Sequence, residues 1–129
     1  MIGVARGVAV FAYADPCDMR KNFDTLSAIV TETLRRDVLT GDLYLFVSKN
    51  RKRAKVLYFD GTGMCLFSKR LEKGLFAAPW KRAKKSTIEM TLSELSLFVE
   101  GSDAIGRTAL SPPLLTRVDL RSKFPEANP

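Results

Sequence analysis

The chain has 129 residues, which is enough for one domain with a buried core. Hydrophobic residues make up 46% of it and charged residues 27%, a composition that excludes a disordered protein. The absence of histidine excludes Ser-His-Asp, Cys-His and Cys2His2 zinc sites, and two cysteines are too few for a disulfide scaffold. The balance of 21 Lys and Arg against 14 Asp and Glu gives a net charge of +7.

The first predicted element is a β-strand over residues 8–14, which are rich in Val, Phe and Tyr. This stretch has only the minimum length of a signal-peptide core and includes the small residues that would mimic its cleavage site. No apolar run reaches the roughly 18 residues of a membrane-spanning helix. We therefore expect a cytoplasmic protein without membrane contacts, in which Cys17 and Cys65 remain free thiols.

A long amphipathic helix is predicted next. Asp15 suits the N-cap, Pro16 suits the first helical position, and Asp18 places an acid in the first turn. Apolar residues then follow at steps of four, three, four and four, which predicts about five turns with one buried stripe. The stripe consists of Met19, Phe23, Leu26, Val30 and Leu34.

Three β-prone runs separated by turn residues predict an antiparallel β-meander within residues 42–90. The runs cover residues 43–47, 54–59 and 64–71. The first two are nearly all apolar, so we expect both faces of their sheet to be at least partly covered. We assign the aromatic side chains of this region to the core: Tyr44, Phe46, Tyr58, Phe59, Phe67 and Phe76.

A short strand over residues 87–90 leads into a capping box formed by Thr91 and Glu94, which predicts a short helix that ends at Gly101. Residues 102–129 contain four of the six prolines and are predicted to be a loosely ordered tail. The expected fold class is α+β, with residues 1–101 as a single domain. Its parts are an N-terminal strand, a long helix, an antiparallel meander and a short C-terminal helix.

The positive charge is concentrated in one segment. Between Lys49 and Lys85 there are twelve basic residues against Asp60 and Glu72, a net charge of +10. Alternate turns of a meander lie at the same end of the sheet, so residues 49–53 should meet residues 72–74 and form a patch suited to phosphates. The alternative is a solvated edge that resists aggregation. The candidate DNA-binding residues are Lys49, Arg51, Lys52, Arg53, Lys55, Lys69, Arg70, Lys73, Lys81, Arg82, Lys84 and Lys85.

No catalytic site is predicted, and neither a metal nor a cofactor is expected. A nuclease or transposase needs clustered acids that hold two metal ions about 4 Å apart. Here Asp15 and Asp18 are explained by the helix start and Asp60 by a turn. The sequence contains no phosphate-binding P-loop and no dinucleotide-binding fingerprint.

Several motifs together resemble one family. Residues 18–21 (DMRK), followed by Phe23, Asp24 and Leu26, resemble its opening motif. Residues 55–63 (KVLYFDGTG), 68–76 (SKRLEKGLF) and 95–101 (LSLFVEG) are similar to its later blocks, in the same order. The family is TnpB, the accessory protein from the second reading frame of insertion-sequence-66 type bacterial elements.

The resemblance implies a role in transposition beside a separate, larger transposase that carries the acidic catalytic residues. Two hypotheses follow for this chain: binding of DNA phosphates with weak sequence preference, or a protein-interaction adaptor that docks its basic face on the transposase or another element-encoded protein. The family motif leaves some residues without a known role, and Arg20 is expected either to point outward or to pair with Asp60. The residues in question are Asp18, Arg20, Lys21, Asp60 and Gly61.

Overall fold

A computed structural model describes residues 7–101, which form a five-stranded mixed sheet with two helices and confirm the α+β class. The strand order is β4-β3-β2-β1-β5. The strands are β1 (Val10–Tyr13), β2 (Leu43–Val47), β3 (Arg53–Phe59), β4 (Met64–Arg70) and β5 (Thr87–Met90), and the helices are α1 (Phe23–Ala28) and α2 (Leu92–Val99). The predicted tail at 102–129 lies outside the described residues.

The predicted meander is present, because β2, β3 and β4 pair antiparallel in sequence order. The N-terminal strand β1 pairs parallel to β2, and the chain between them contains α1. After β4 the chain crosses to the far side of the sheet, where β5 pairs antiparallel to β1. Among the described residues, β1 is therefore internal to the sheet, and β4 and β5 form its two edges.

Both faces of the sheet are covered, as the apolar runs predicted, and every residue of β2 is buried. On one face, here called the α1 face, Leu26 and Val30 pack with Tyr44, Phe46 and Leu57. On the other, the α2 face, the rings of Phe76 and Phe98 stack with centroids 5.1 Å apart and planes 4° from parallel.

The predicted start of the first helix is wrong. The helix begins at Phe23, not at Pro16, because the backbone N–H of Cys17 donates to the carbonyl of Val47 at 2.8 Å and holds the chain against the end of β2. The actual N-cap is Asn22, whose N–H donates to the Thr25 hydroxyl at 2.9 Å.

The predicted length of the helix is also wrong. After α1 the backbone widens into a π-helical turn over Ile29–Thr33, and Arg35 then adopts a positive φ of 58° that stops the helix. Of the predicted stripe, Leu26 and Val30 are fully buried. Phe23, by contrast, is 44% exposed.

The C-terminal helix is confirmed in detail. The Thr91 hydroxyl accepts from the N–H of Glu94 at 3.0 Å, and the Glu94 carboxylate accepts from the N–H of Thr91 at 2.8 Å. Gly101 follows with a φ of 85°, a conformation that favours glycine after a helix. No helix within residues 7–101 combines the length and apolarity needed to cross a membrane.

The aromatic assignments are confirmed for three residues and wrong for one. Tyr44, Phe46 and Phe76 are fully buried. Tyr58 and Phe59 are partly buried. Phe67 is 44% exposed, because it lies in the middle of β4, which within residues 7–101 has a neighbouring strand on one side alone.

Candidate nucleic-acid interface

One end of the sheet gathers most of the basic residues. Three stretches lie where β1 and β2 finish: residues 14–22 after β1, residues 48–53 between β2 and β3, and residues 70–86, which pass from the end of β4 to β5. Together they contain twelve basic and three acidic residues, a net charge of +9. We call these three stretches the cationic end.

The opposite end of the sheet has the opposite balance. The connections there, residues 34–42 and 60–63, contain two basic and three acidic residues. Charge is therefore separated along the strand direction, and the field of the molecule attracts an anion to one end rather than to its whole surface.

The predicted meeting of two basic turns is confirmed. Arg53 of β3 lies directly opposite Arg70 of β4, and the N–H of Leu71 donates to the carbonyl of Lys52 at 2.8 Å. Like charges directly opposite in a sheet are destabilising. Glu72 offsets part of this repulsion, since its carboxylate lies 3.1 Å from Nε of Arg70 in an exposed ion pair.

Short polar side chains hold the backbone of the turn at residues 48–53 by hydrogen bonds. The Asn50 side-chain oxygen accepts from the Ser48 hydroxyl at 2.8 Å and from the N–H of Lys52 at 3.0 Å. Arg51 adopts a positive φ of 64°, a conformation that is uncommon outside glycine and costs about 1 kcal/mol. The basic side chains of this turn are thus presented by an ordered backbone.

Three of the twelve predicted DNA-binding residues have structural roles in the described chain. Nε of Arg51 donates to the carbonyl of Phe76 at 2.7 Å, where the N–H of Phe76 donates back to the carbonyl of Arg51 at 2.8 Å. This reciprocal pair joins the turn at residues 48–53 to the crossover from β4 to β5.

The two remaining structural residues are lysines on β3 and β4. Nζ of Lys55 donates to the carbonyl of Lys21 at 2.7 Å, and Nζ of Lys69 donates to the carbonyl of Val99 at 2.7 Å near the C-terminus of α2. All three structural side chains are partly buried. Sequence reasoning missed these roles because the bonded residues lie 25 to 34 positions apart.

Several basic residues of the cationic end have no such structural role within residues 7–101. Seven of them are exposed, and within residues 7–101 their side chains form no hydrogen bond and no ion pair. They are Lys49, Lys52, Arg53, Lys73, Lys81, Lys84 and Lys85. Arg82 is also exposed and lies in the same crossover.

The DMRK motif forms a self-contained ion pair. The Arg20 guanidinium lies 2.7 Å from the Asp18 carboxylate, with a second contact from Nε at 3.0 Å, and the Arg20 side chain is 90% exposed. These hydrogen bonds hold the pKa of Asp18 well below its ordinary value. Two expectations are therefore wrong: Asp18 does not lie in the helix, and Arg20 does not pair with Asp60, which is at the opposite end of the sheet.

Asp60 is a turn residue, as predicted. Its Oδ1 accepts from the N–H of Thr62 at 2.8 Å, from the N–H of Gly63 at 2.9 Å and from the Thr62 hydroxyl at 2.9 Å. Gly61 has a φ of 105°, which a residue with a Cβ rarely adopts. The Asp60-Gly61 pair of the family motif is thus explained by the β3–β4 turn.

We expect the stability of this turn to depend on pH. Hydrogen bonds from the N–H groups of Thr62 and Gly63 lower the pKa of Asp60 from 3.8 to about 2. A lowered carboxyl pKa stabilises the fold above the unfolded-state pKa, and this stabilisation is lost as pH falls through the folded-state value. We therefore expect the stability advantage of the wild type over Asp60→Asn to shrink between about pH 4 and pH 2.

Urea unfolding midpoints of the two proteins, measured across that range, test the expectation. The comparison cancels the titration of the other carboxylates, which both proteins share. A difference between the midpoints that does not change with pH contradicts the role of the Asp60 carboxylate in the turn.

The thiols of Cys17 and Cys65 are both free. Burial is the largest cause of the raised pKa of each thiol, so both are protonated at neutral pH.

Among residues 7–101, no three or more Cys, Asp or Glu side chains lie close enough together to hold a metal ion. What the cationic end offers chemically is anion binding.

Comparison with known proteins gives a family and two relatives. A family model described as IS66 Orf2 like protein matches residues 8–108. The chain is 37% identical over 103 residues to the uncharacterized protein y4jC of Sinorhizobium fredii (strain NBRC 101917 / NGR234), with 80% of this chain and 86% of that protein covered. It is 34% identical over 103 residues to the uncharacterized protein y4hO of the same strain, with 80% and 88% covered. No solved structure matches this chain.

Proposed function

The chain belongs to the IS66 Orf2-like family, and on that premise we propose that it binds DNA through its cationic end while a separate transposase performs the chemistry. Membership confirms the resemblance that the sequence motifs indicated. It makes the chain a transposition-associated accessory protein of an insertion sequence. The contact with DNA and the partnership with the transposase are the proposal.

The observation that supports DNA binding is a group of seven exposed cations on neighbouring connections of the cationic end, whose side chains have no hydrogen-bond or ion-pair partner among residues 7–101. Each phosphate that such a cation neutralises releases condensed counterions, which favours binding of a polyanion at low salt. The cationic end consists mainly of turns and crossover chain rather than a helix that could enter the major groove. We therefore expect the chain to contact mainly the phosphates of DNA, with weak sequence preference.

Fluorescence anisotropy of labelled DNA, titrated at several salt concentrations, tests this function. The probes are the terminal repeat of the element and a scrambled duplex of equal length. We expect a steep fall of affinity with salt and similar affinities for the two duplexes. An absence of binding even at low salt refutes the proposal.

The proposal gives this chain no catalytic step. Asp18 is neutralised by Arg20 at the cationic end, whereas Asp60 is engaged in the β3–β4 turn at the opposite end, so these acids do not share a metal. Nicking of plasmid DNA that requires Mg²⁺ or Mn²⁺ and disappears in Asp18→Asn or Asp60→Asn contradicts this part of the proposal.

A protein-interaction adaptor is the second candidate function. Two exposed apolar side chains favour it: Leu75 lies in the crossover of the cationic end, and Phe67 lies in the middle of β4. An acidic surface of the transposase would then occupy the cationic end. Pull-down of the transposase in the presence of nuclease separates the two functions, because an association bridged by DNA is lost and a direct one is kept.

A further inference from the structure

Phe23 occupies an unusual position for an aromatic side chain. It belongs to the apolar stripe of the sequence, and its neighbours in the stripe, Leu26 and Val30, are fully buried. Phe23 itself remains 44% exposed. Burial of a phenylalanine side chain stabilises a fold, and the exposed position of Phe23 gives up part of that stabilisation.

The residue before Phe23 is anchored to the sheet. Nζ of Lys55, on β3, lies 3.2 Å from the side-chain oxygen of Asn22 and 2.7 Å from the carbonyl of Lys21. Because Lys55 sits on the α1 face with Leu57, these two bonds fix the start of α1 above the β3–β4 pair. The backbone position of Phe23 is thereby fixed above that pair.

Two arginines lie on the same face, at the next ladder position after Lys55. Side chains alternate along a strand, so Arg53 and Lys55 point to one face, and their partners across the ladder are Arg70 and Ser68. Two residues of strand separate Lys55 from Arg53, about 7 Å. The Arg53–Arg70 pair, which places like charges opposite each other, is thus the next ladder pair on this face after Lys55–Ser68, and Lys55 is the residue that anchors the start of α1.

We propose that Phe23 stacks on an unpaired base of single-stranded DNA whose adjacent phosphate is held between Arg53 and Arg70. An exposed ring beside a cationic pair is the arrangement that proteins use for single strands, since every base offers a face for stacking. A phosphate between the two arginines also relieves the part of their repulsion that the Glu72–Arg70 ion pair does not offset. The bases of a duplex are already stacked on each other, so they leave no face for Phe23.

This inference rests on the proposed DNA-binding function and names its substrate class. The test uses two probes at one moderate salt concentration: a 12-nucleotide single strand containing one 2-aminopurine, and its duplex. We expect binding of the wild type to quench the fluorescence of the 2-aminopurine in the single strand. Stacking is worth about 1 to 3 kcal/mol per base, so Phe23→Ala should weaken single-strand binding about 5- to 150-fold and abolish the quenching.

Duplex affinity should be unchanged in Phe23→Ala. Phe23→Tyr, which keeps an aromatic face, should restore both single-strand affinity and quenching. Leu39→Ala is the matched control, because Leu39 is an exposed apolar residue at the opposite end of the sheet, and its loss should change neither probe.

The outcomes separate the two proposals. Salt-dependent duplex binding by the wild type, combined with equal single-strand affinity for Phe23→Ala and wild type, overturns the stacking inference and leaves the proposed function standing. If Phe23→Ala weakens binding to the single strand and to the duplex equally, the stacking inference is also overturned. An absence of binding to either probe by the wild type refutes the proposed function itself.

Discussion

Replacement of Lys49, Lys52, Arg53 and Lys73 with alanine should flatten the salt dependence of duplex binding. These four side chains are exposed and unpaired within residues 7–101, and they lie on the two connections that meet at the cationic end. Each lost phosphate contact lowers the slope of log affinity against log salt by about 0.9, so four contacts lower it by about 3 to 4. The slope is measured by anisotropy at four or more salt concentrations.

The matched control keeps the charge and changes the chemistry: Lys49→Arg, Lys52→Arg, Lys73→Arg and Arg53→Lys in one protein. Its slope should equal that of the wild type, because counterion release depends on charge. Arg51 is left intact in both variants, since it bonds to Phe76 and its loss would disturb the crossover. An unchanged slope in the alanine variant removes these residues from the DNA interface.

Phe76→Ala should produce the largest loss of stability among single substitutions considered for this chain. The Phe76 ring is fully buried and stacks on Phe98, and its backbone forms both hydrogen bonds to Arg51. Truncation of a buried phenylalanine costs about 3 to 5 kcal/mol, a large fraction of the 5 to 15 kcal/mol that stabilises a typical domain. The urea unfolding midpoint at constant m-value measures this loss.

Leu75→Ala is the control for Phe76→Ala. Leu75 is the preceding residue and 40% exposed, so its truncation should change stability by about 0.5 kcal/mol or less. A cost for Phe76→Ala that is as small as that for Leu75→Ala would show that the α2 face is not held by the Phe76–Phe98 stack.

Sequence could predict the features that depend on residues lying close together in the chain. The meander follows from apolar runs of strand length and the turns between them, and the start of α2 follows from Thr91 and Glu94, three residues apart. The meeting of residues 48–53 with the end of β4 follows from meander geometry alone. These predictions needed no knowledge of tertiary contacts.

The features that sequence could not predict depend on distant contacts. Asp15 and Pro16 have the chemistry of a helix start, yet the bond between Cys17 and Val47 postpones α1 to Phe23. Charge patterning assigns Arg51, Lys55 and Lys69 to DNA, because it does not show which cations bond to remote carbonyls. The pairing of β1 between β2 and β5 likewise has no local signature.

The internal position of β1 has a consequence for biosynthesis. This strand leaves the ribosome before the other four described strands, yet the register partners of Val10 lie at Leu43 on one side and at Met90 on the other. The sheet therefore cannot close until the nascent chain has passed β5, and pairings over such sequence separations form slowly. If the reading frame is interrupted before β5, one side of the apolar strand β1 lacks its partner. Such an open edge favours aggregation, so the truncated chain should not fold into a smaller functional protein.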